Sequence, residues 1–293
     1  MPWYGYSLVA MLANSWYSIS QKWALNLGIN RTKLLTYIFI GLFFGYLGDN
    51  LLTDSTGFLN QIQSPQFFLL GLLAAVFSLA GNIAQIKALK QSPNPGYVQA
   101  VIVTNALVVA IISVLILGST ITVIKTLGIL VIIVGLFLLL FEKGKKKTAG
   151  WQAPAILAAV SYGLMALVVK RMTNLEITPV QVLASLTFFV SIGLLTIAWR
   201  EKVNLGFKDT PRSLALPIMV AAVIAFSTNL LQFTAIKFSS NPGYPVAIFN
   251  SSVVFTLLFS GLIFPKESGG EFNPKKWLGV VVTIIGVIIV ILG

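Results

Sequence analysis

Long apolar runs separated by short polar segments dominate the sequence. A helix of about 20 residues crosses a hydrocarbon core of about 30 Å. We count ten such runs, at residues 3–24, 33–53, 66–90, 94–117, 121–141, 152–171, 178–199, 212–237, 241–264 and 275–292. They predict an all-α integral membrane protein with ten transmembrane helices.

The composition agrees with this prediction. Hydrophobic residues make up 57% of the chain and charged residues 10%, whereas soluble domains contain about 25% charged residues. The net charge is +12, but the Lys and Arg residues lie between the apolar runs. Nucleic-acid-binding domains instead gather basic residues on one soluble face. We therefore expect a lipid bilayer and no nucleic acid around this chain.

The residue types required for most enzymatic sites are missing. The sequence has no Cys and no His, and its eight carboxylates form no DxxxD or ExxE pair. We therefore expect no catalytic residues, no metal site, no cofactor and no enzymatic activity. Ser161 and Lys170 are separated by nine positions, about 13 Å along a helix. That spacing is too long for a catalytic dyad on one helix.

Basic residues predict the orientation of the chain. If the ten runs all cross the membrane, 16 of the 20 Lys and Arg residues lie on one side. The positive-inside rule makes that side cytoplasmic, with both termini outside, and we expect the plasma (inner) membrane. The most hydrophilic stretch, residues 142–150, lies between the fifth and sixth runs. It separates two predicted five-helix units, at 1–145 and 150–293.

The two units contain the same sequence pattern. "NPGY" occurs at residues 94–97 and again 147 positions later at 241–244, and residues 82–100 share ten identities with residues 229–247. Ser15-Trp16 also matches Ser161-Tyr162. Because each unit has an odd number of spans, the second enters the membrane from the opposite side. The sequence therefore predicts two inverted five-helix repeats, an arrangement suited to alternating access.

The last runs of the two units have similar glycine spacing, in "KTLGILVIIVGLFLLL" and "KWLGVVVTIIGVIIVILG". The second follows "LIFPKESGG", an apolar run with an acidic turn at Glu267. With the five-plus-five organisation, these segments resemble the EamA-like members of the drug/metabolite transporter (DMT) superfamily. The resemblance implies a ten-helix secondary carrier with a central cavity that exports small metabolites. It also implies cytoplasmic termini, opposite to the charge count.

Polar side chains within the predicted spans are the candidates for binding a small-molecule substrate, because burying them in lipid is costly. Asn82 and Gln85 share one face of the third span, and the eighth span repeats that face. Hydrogen bonding between helices is the alternative role. The predicted substrate-binding residues are Asn82, Gln85, Asn229, Gln232, Ser15, Trp16, Tyr17, Ser161, Tyr162, Asn105 and Asn250.

The two NPGY segments are the predicted gates. Asn-Pro favours a helix start, and the following glycine permits close backbone approach. We expect these segments to act as paired hinges at opposite mouths of the cavity. The predicted gating residues are Asn94, Pro95, Gly96, Tyr97, Asn241, Pro242, Gly243 and Tyr244.

Three questions stay open from the sequence. Asp49 lies near the end of the second span, where it either sits at the interface or couples transport to protons as the coupling ion. The cargo is either a small metabolite or a lipid-linked substrate that the protein flips. A membrane scaffold without transport activity is a further alternative, although it would not require repeated polar faces.

Overall fold

The computed structural model describes residues 1–91, 95–140, 150–206, 212–263 and 274–293. All helices and strands assigned in these ranges are α-helices. They are α1 (Trp3–Asn26), α2 (Arg31–Thr53), α3 (Ser55–Ile62), α4 (Pro65–Gln91), α5 (Pro95–Val103), α6 (Asn105–Leu117), α7 (Val123–Leu140), α8 (Gln152–Asn174), α9 (Pro179–Arg200), α10 (Arg212–Phe238), α11 (Gly243–Asn250), α12 (Ser252–Ile263) and α13 (Pro274–Leu292).

Each predicted apolar run coincides with one helix or with two consecutive helices. Five helical segments in the described residues have the length and hydropathy to cross a membrane: Arg31–Thr53, Pro65–Gln85, Gln152–Asn174, Pro179–Arg200 and Leu214–Phe238. Four shorter apolar segments accompany them, at Val101–Leu117, Val123–Leu139, Gly243–Phe259 and Lys276–Leu292. The run at 3–24 is the continuous helix α1, which is not among the five. The all-helical prediction is confirmed.

Local sequence explains where several helices begin and end. The Thr178 side chain accepts a hydrogen bond from Gln181 N, and Gln181 Oε1 accepts one from Thr178 N, which completes a capping box before Pro179. A capping side chain before a proline at the first helical position is typical of a helix start. Asn30 caps α2 in a similar way, accepting from Thr32 N at 2.8 Å. Gly118 ends α6 in the left-handed region, at φ 63°.

Two predicted spans are interrupted at corresponding positions. Thr104 separates α5 from α6, and Ser251, 147 residues later, separates α11 from α12. Neither break coincides with a glycine or proline. At each break the chain forms i→i+3 bonds, such as that from Ser251 N to Ile248 O at 3.0 Å. The repeat therefore extends to backbone irregularities.

Helices from the two halves pack against each other throughout the bundle. The most extensive contacts are α7 with α13, α1 with α10, α4 with α8, and α2 with α9. The α7–α13 contact depends on glycines: a Cβ on Gly279 would lie 2.6 Å from Leu139 N, and one on Gly286 2.6 Å from Ile132 N. The glycine spacing therefore permits backbone contact between the last helices of the two halves.

Hydrogen bonds between helix ends, such as that from the Thr32 hydroxyl at the start of α2 to Glu201 just after α9, define two ends of the bundle. We call the end that carries Trp3 and Leu292 the terminus side, and the end that carries Gln91 and Gln152 the linker side. On the linker side, Lys33 Nζ donates to Gly206 O at 3.1 Å. Residues 141–149, Asn94 and Glu267 lie outside the described residues.

Candidate functional site

The repeated amides of α4 lie in the interior of the bundle, half-buried. Gln85 Oε1 accepts a hydrogen bond of 2.6 Å from the Tyr162 hydroxyl. Asn82 Nδ2 donates to Ser78 O, one turn earlier on its own helix, at 2.8 Å. The structure therefore brings together Gln85 and Tyr162, one candidate from each half.

The corresponding amides of α10 have different surroundings. Asn229 is half-buried and forms a side-chain hydrogen bond with the Tyr46 hydroxyl, which also donates to Phe226 O at 2.9 Å. Gln232 is 6% exposed, and its Oε1 has no hydrogen-bond partner among the described residues. The two repeat-related faces thus differ in both partners and burial.

The three consecutive candidates on α1 point in three directions, as the 100° rotation per residue requires. Ser15 is buried and donates to Ser252 O at 3.0 Å. Trp16 is 45% exposed and stacks on Phe259, with ring centroids 5.1 Å apart. Tyr17 is half-buried and accepts a 2.7 Å bond from Gln21 Nε2. The structure does not bring Trp16 to the other candidates.

The helix breaks lie beside a second polar group. Asn250 Nδ2 donates to Asn105 Oδ1 at 2.9 Å, so the two candidates next to the breaks meet across the halves. Asn14 Nδ2 donates to the Ser252 hydroxyl at 2.8 Å. Ser161 is buried on α8. Irregular backbone within an apolar bundle requires such polar neighbours.

Arg31, which the sequence indicated only as a loop charge, lies near two of the candidates. This first residue of α2 is half-buried and interacts electrostatically with Tyr17 and Tyr162. With Gln21 and Gln85, these residues form what we call the linker-side cluster: Tyr17, Gln21, Arg31, Gln85 and Tyr162. It contains residues of α1, α2, α4 and α8, and therefore of both halves.

The second NPGY segment is sealed against the first half of the chain. Asn241 is fully buried, and its Nδ2 donates to Ala110 O at 3.0 Å and to Thr120 O at 3.3 Å. Its Oδ1 accepts from Gly243 N at 2.9 Å, so Asn241 closes the turn before α11. The helix itself begins at Gly243, with Pro242 buried at its cap.

Gly243 and Tyr244 complete this seal. A Cβ on Gly243 would lie 2.7 Å from Ala106 O, so a larger side chain would clash with the α6 backbone. Tyr244 is 1% exposed, and its hydroxyl accepts from Thr122 N at 2.8 Å. Its ring faces Lys125 Nζ, 5.4 Å from the centroid.

A buried lysine forms hydrogen bonds with the end of α10, the helix before the second NPGY segment. Lys170 of α8 is 7% exposed, and its Nζ donates to Ile236 O, Lys237 O and Ser239 O at 2.7–3.1 Å. A cation at this position donates hydrogen bonds to carbonyls that have no partner within the last turn of α10. It also interacts favourably with the negative end of the helix dipole. Lys170, Asn241 and Tyr244 thus hold neighbouring helix ends together on the terminus side.

Comparison with known proteins gives the family. The model of the EamA-like transporter family matches residues 1–141 and 151–292. The chain belongs to the EamA-like transporter family. This confirms the resemblance seen in the sequence and identifies a multi-pass integral membrane transporter of the DMT superfamily. The family implies a small-molecule substrate and a lipid surrounding, and its activity is transport rather than catalysis.

Solved structures support the fold of this EamA-like transporter. One, described only as the crystal structure of a protein, has a TM-score of 0.74 and 13% identity, and the match covers 99% of this chain and 98% of that chain. At this identity the likeness shows the fold alone. No curated protein matches the chain in sequence.

The first NPGY segment and Asp49 are the remaining predicted residues of this EamA-like transporter. Pro95, Gly96 and Tyr97 belong to the first turn of α5, and their side chains are outside the described part of the structure. Asp49 is half-buried one turn before the end of α2, and its carbonyl accepts from the Thr53 hydroxyl at 2.7 Å. Within the described residues, no three carboxylates gather as a metal site.

Proposed function

We propose that this protein is a secondary active transporter that exports or exchanges a small metabolite. In this proposal, ten helices form two inverted repeats, and alternating access moves the substrate through a cavity between them. The carrying observation is the sealed NPGY segment at Asn241. It corresponds to one closed mouth of a carrier whose half-buried polar cluster lies toward the opposite end.

The positions of the polar residues support this cavity. Gln85, Tyr17 and Tyr162 lie between helices of both halves, and Asn105 and Asn250 pair beside the broken helices. Discontinuous helices at the interface of inverted repeats are a recurring feature of substrate sites in secondary transporters. We propose that these residues contact the substrate in the described conformation, and that Asn82, Asn229, Ser15 and Ser161 support them.

Gln232 has a separate role in this proposal. Inverted repeats exchange conformations during the cycle, so Gln232 takes the more open surroundings of Gln85 when the terminus side opens. The first NPGY segment, Asn94 to Tyr97, then closes the linker side as Asn241 to Tyr244 closes the terminus side. By the charge distribution, the linker side is cytoplasmic. Protonation of Asp49 is the proposed route to proton coupling.

Replacing Gly243 with valine tests the gate. The valine Cβ would meet the α6 backbone, so the terminus side would no longer close, and transport should fall about tenfold or more. Gly48→Val is the matched control, since a Cβ on Gly48 meets no atom within 4 Å. Uptake of amino acids, nucleosides, sugars and organic ions into proteoliposomes provides the assay.

The gate is rejected if correctly inserted Gly243→Val transports as well as Gly48→Val. If the unaltered protein moves none of these solutes but translocates a labelled lipid between leaflets, the cargo is lipid-linked. If it moves neither, the scaffold alternative replaces transport.

A further inference from the structure

We propose that the linker-side cluster binds a carboxylate or phosphate group of the transported molecule through Arg31. This inference rests on the proposed function and specifies its substrate class. Arg31 supplies a permanent positive charge, the two tyrosines supply hydroxyls, and the two glutamines supply amides. We infer it from the position of Arg31, the surroundings of its neighbours, and the hydrogen bonds that organise the cluster.

The start of α2 directs three neighbouring polar residues to different surroundings. Lys33 is 7% exposed, and its Nζ donates to Gly206 O at 3.1 Å. The Thr32 hydroxyl donates to Glu201 Oε2 at 2.8 Å. Arg31 instead interacts electrostatically with the phenols of Tyr17 and Tyr162. The nearby carboxylate of Glu201 thus accepts a hydrogen bond from Thr32, and Arg31 is half-buried.

The surroundings of Arg31 leave its charge uncompensated within the described residues. The groups there that interact electrostatically with it are two phenols, and no carboxylate is among them. Withdrawing a cation partly from water is unfavourable unless an opposite charge accompanies it. A negatively charged ligand would supply that charge, and the guanidinium fork matches the paired oxygens of a carboxylate or phosphate.

The other members of the cluster are already oriented. Tyr162 donates to Gln85 Oε1 at 2.6 Å, which directs the amide Nε2 of Gln85 to act as the donor to a ligand. Gln21 Nε2 holds the Tyr17 hydroxyl at 2.7 Å. Because these bonds fix the side chains in advance, a bound anion would meet donors from three helices, α1, α2 and α4, with little rearrangement.

A binding experiment on the purified full-length protein tests this inference. Thermal stabilisation is measured with inorganic phosphate, succinate and glutarate, and with the neutral diamides succinamide and glutaramide. At least one anion should stabilise the protein, and its neutral counterpart should not. Arg31→Gln should weaken the binding of that anion about tenfold or more, because it removes a charge-assisted hydrogen bond. Arg31→Lys should give an intermediate value.

Arg200→Gln is the matched control, because Arg200 is an exposed arginine on the same side of the bundle. It should bind the anion as the unaltered protein does. Equal binding of anions by Arg31→Gln and Arg200→Gln would overturn the inference. If Arg31→Gln does not fold, the preference of the unaltered protein and of Arg31→Lys for anions over neutral compounds remains the test.

A lipid headgroup carries the same chemistry, so the measurement is repeated with phosphatidylglycerol and with phosphatidylcholine. Arg31-dependent stabilisation by phosphatidylglycerol alone would retain the anion site but overturn its assignment to the transported molecule. Transport of a neutral solute without any anion binding would overturn the inference and leave the carrier function intact. Anion binding without transport of any solute would support the site and contradict the carrier.

Discussion

The amides of α4 and α10 are identical in type and spacing, yet the bundle places them differently. Gln85 is half-buried and bonded to Tyr162, whereas Gln232 is almost fully buried with an unpartnered Oε1. Asn229 meets Tyr46, while Asn82 bonds to its own helix. Identical residues in the two repeats therefore need not have identical surroundings in one conformation.

The difference arises on the neighbouring helices. Tyr162 on α8 corresponds to Trp16 on α1, and Trp16 stacks outward on Phe259. Tyr46 is fully buried and stacked on Phe226 at 4.4 Å. The repeat thus preserves the amides, and the residues facing them determine which half forms the polar cluster.

The largest effect is expected at Gln85. Gln85→Leu removes the acceptor of the Tyr162 hydroxyl and an amide of the proposed site, so proteoliposome transport should fall about tenfold or more. Gln63→Leu, an exposed glutamine on the terminus side, serves as the control and should transport normally. Normal transport by Gln85→Leu would show that the different surroundings of Gln85 and Gln232 have no consequence for transport.

At Gln232 we expect a smaller loss of transport, accompanied by an increase in stability. Gln232→Leu removes a buried, unpartnered carbonyl oxygen, so it should stabilise the described conformation by about 1 kcal/mol. Thermal unfolding in detergent should therefore occur at a higher temperature. Transport should fall about fivefold, because about 1 kcal/mol shifts the conformational equilibrium by that factor. A lower unfolding temperature would show that Gln232 is satisfied in the folded protein.

The smallest effect is expected at Tyr46. Tyr46→Phe keeps the ring stacked on Phe226 but removes the hydroxyl that bonds Phe226 O and Asn229. The free energy of unfolding should fall by about 0.6 to 2 kcal/mol, as for other hydrogen bonds between membrane helices. Denaturation in detergent measures this loss. An unchanged stability would mean that Asn229 resembles Asn82 and that the two faces do not differ here.

The sequence predicted the helices better than their contacts. Hydropathy located the ten runs because lipid exposure requires long apolar helices, and a capping residue before a proline, as at Thr178-Pro179, is a helix-start pattern that is visible in the sequence. The helix breaks at Thr104 and Ser251 were not predicted, since neither carries a glycine or proline. The short helix α3 was also missed, because residues 55–62 lie between two long apolar runs and contain no such run themselves.

Site residues were harder to predict for a physical reason. Helical geometry could have separated Ser15, Trp16 and Tyr17, because consecutive residues point about 100° apart. Arg31 was counted only as a topology signal, since its position before an apolar run does not reveal whether it points to solvent or to the interior. Tyr46 could not be distinguished from a lipid-facing aromatic until α10 was packed against α2.

Cross-linking the sealed mouth tests the central claim most directly. The chain has no cysteine, so Lys125→Cys with Tyr244→Cys provides the only thiol pair, placed where Lys125 Nζ lies 5.4 Å from the Tyr244 ring. A reducible thiol cross-linker long enough to join the two shorter cysteine side chains should lower proteoliposome transport below about a tenth of the untreated rate, and reduction should restore it. Either single-cysteine variant controls for modification alone. Undiminished transport in fully cross-linked protein would contradict alternating access through this mouth.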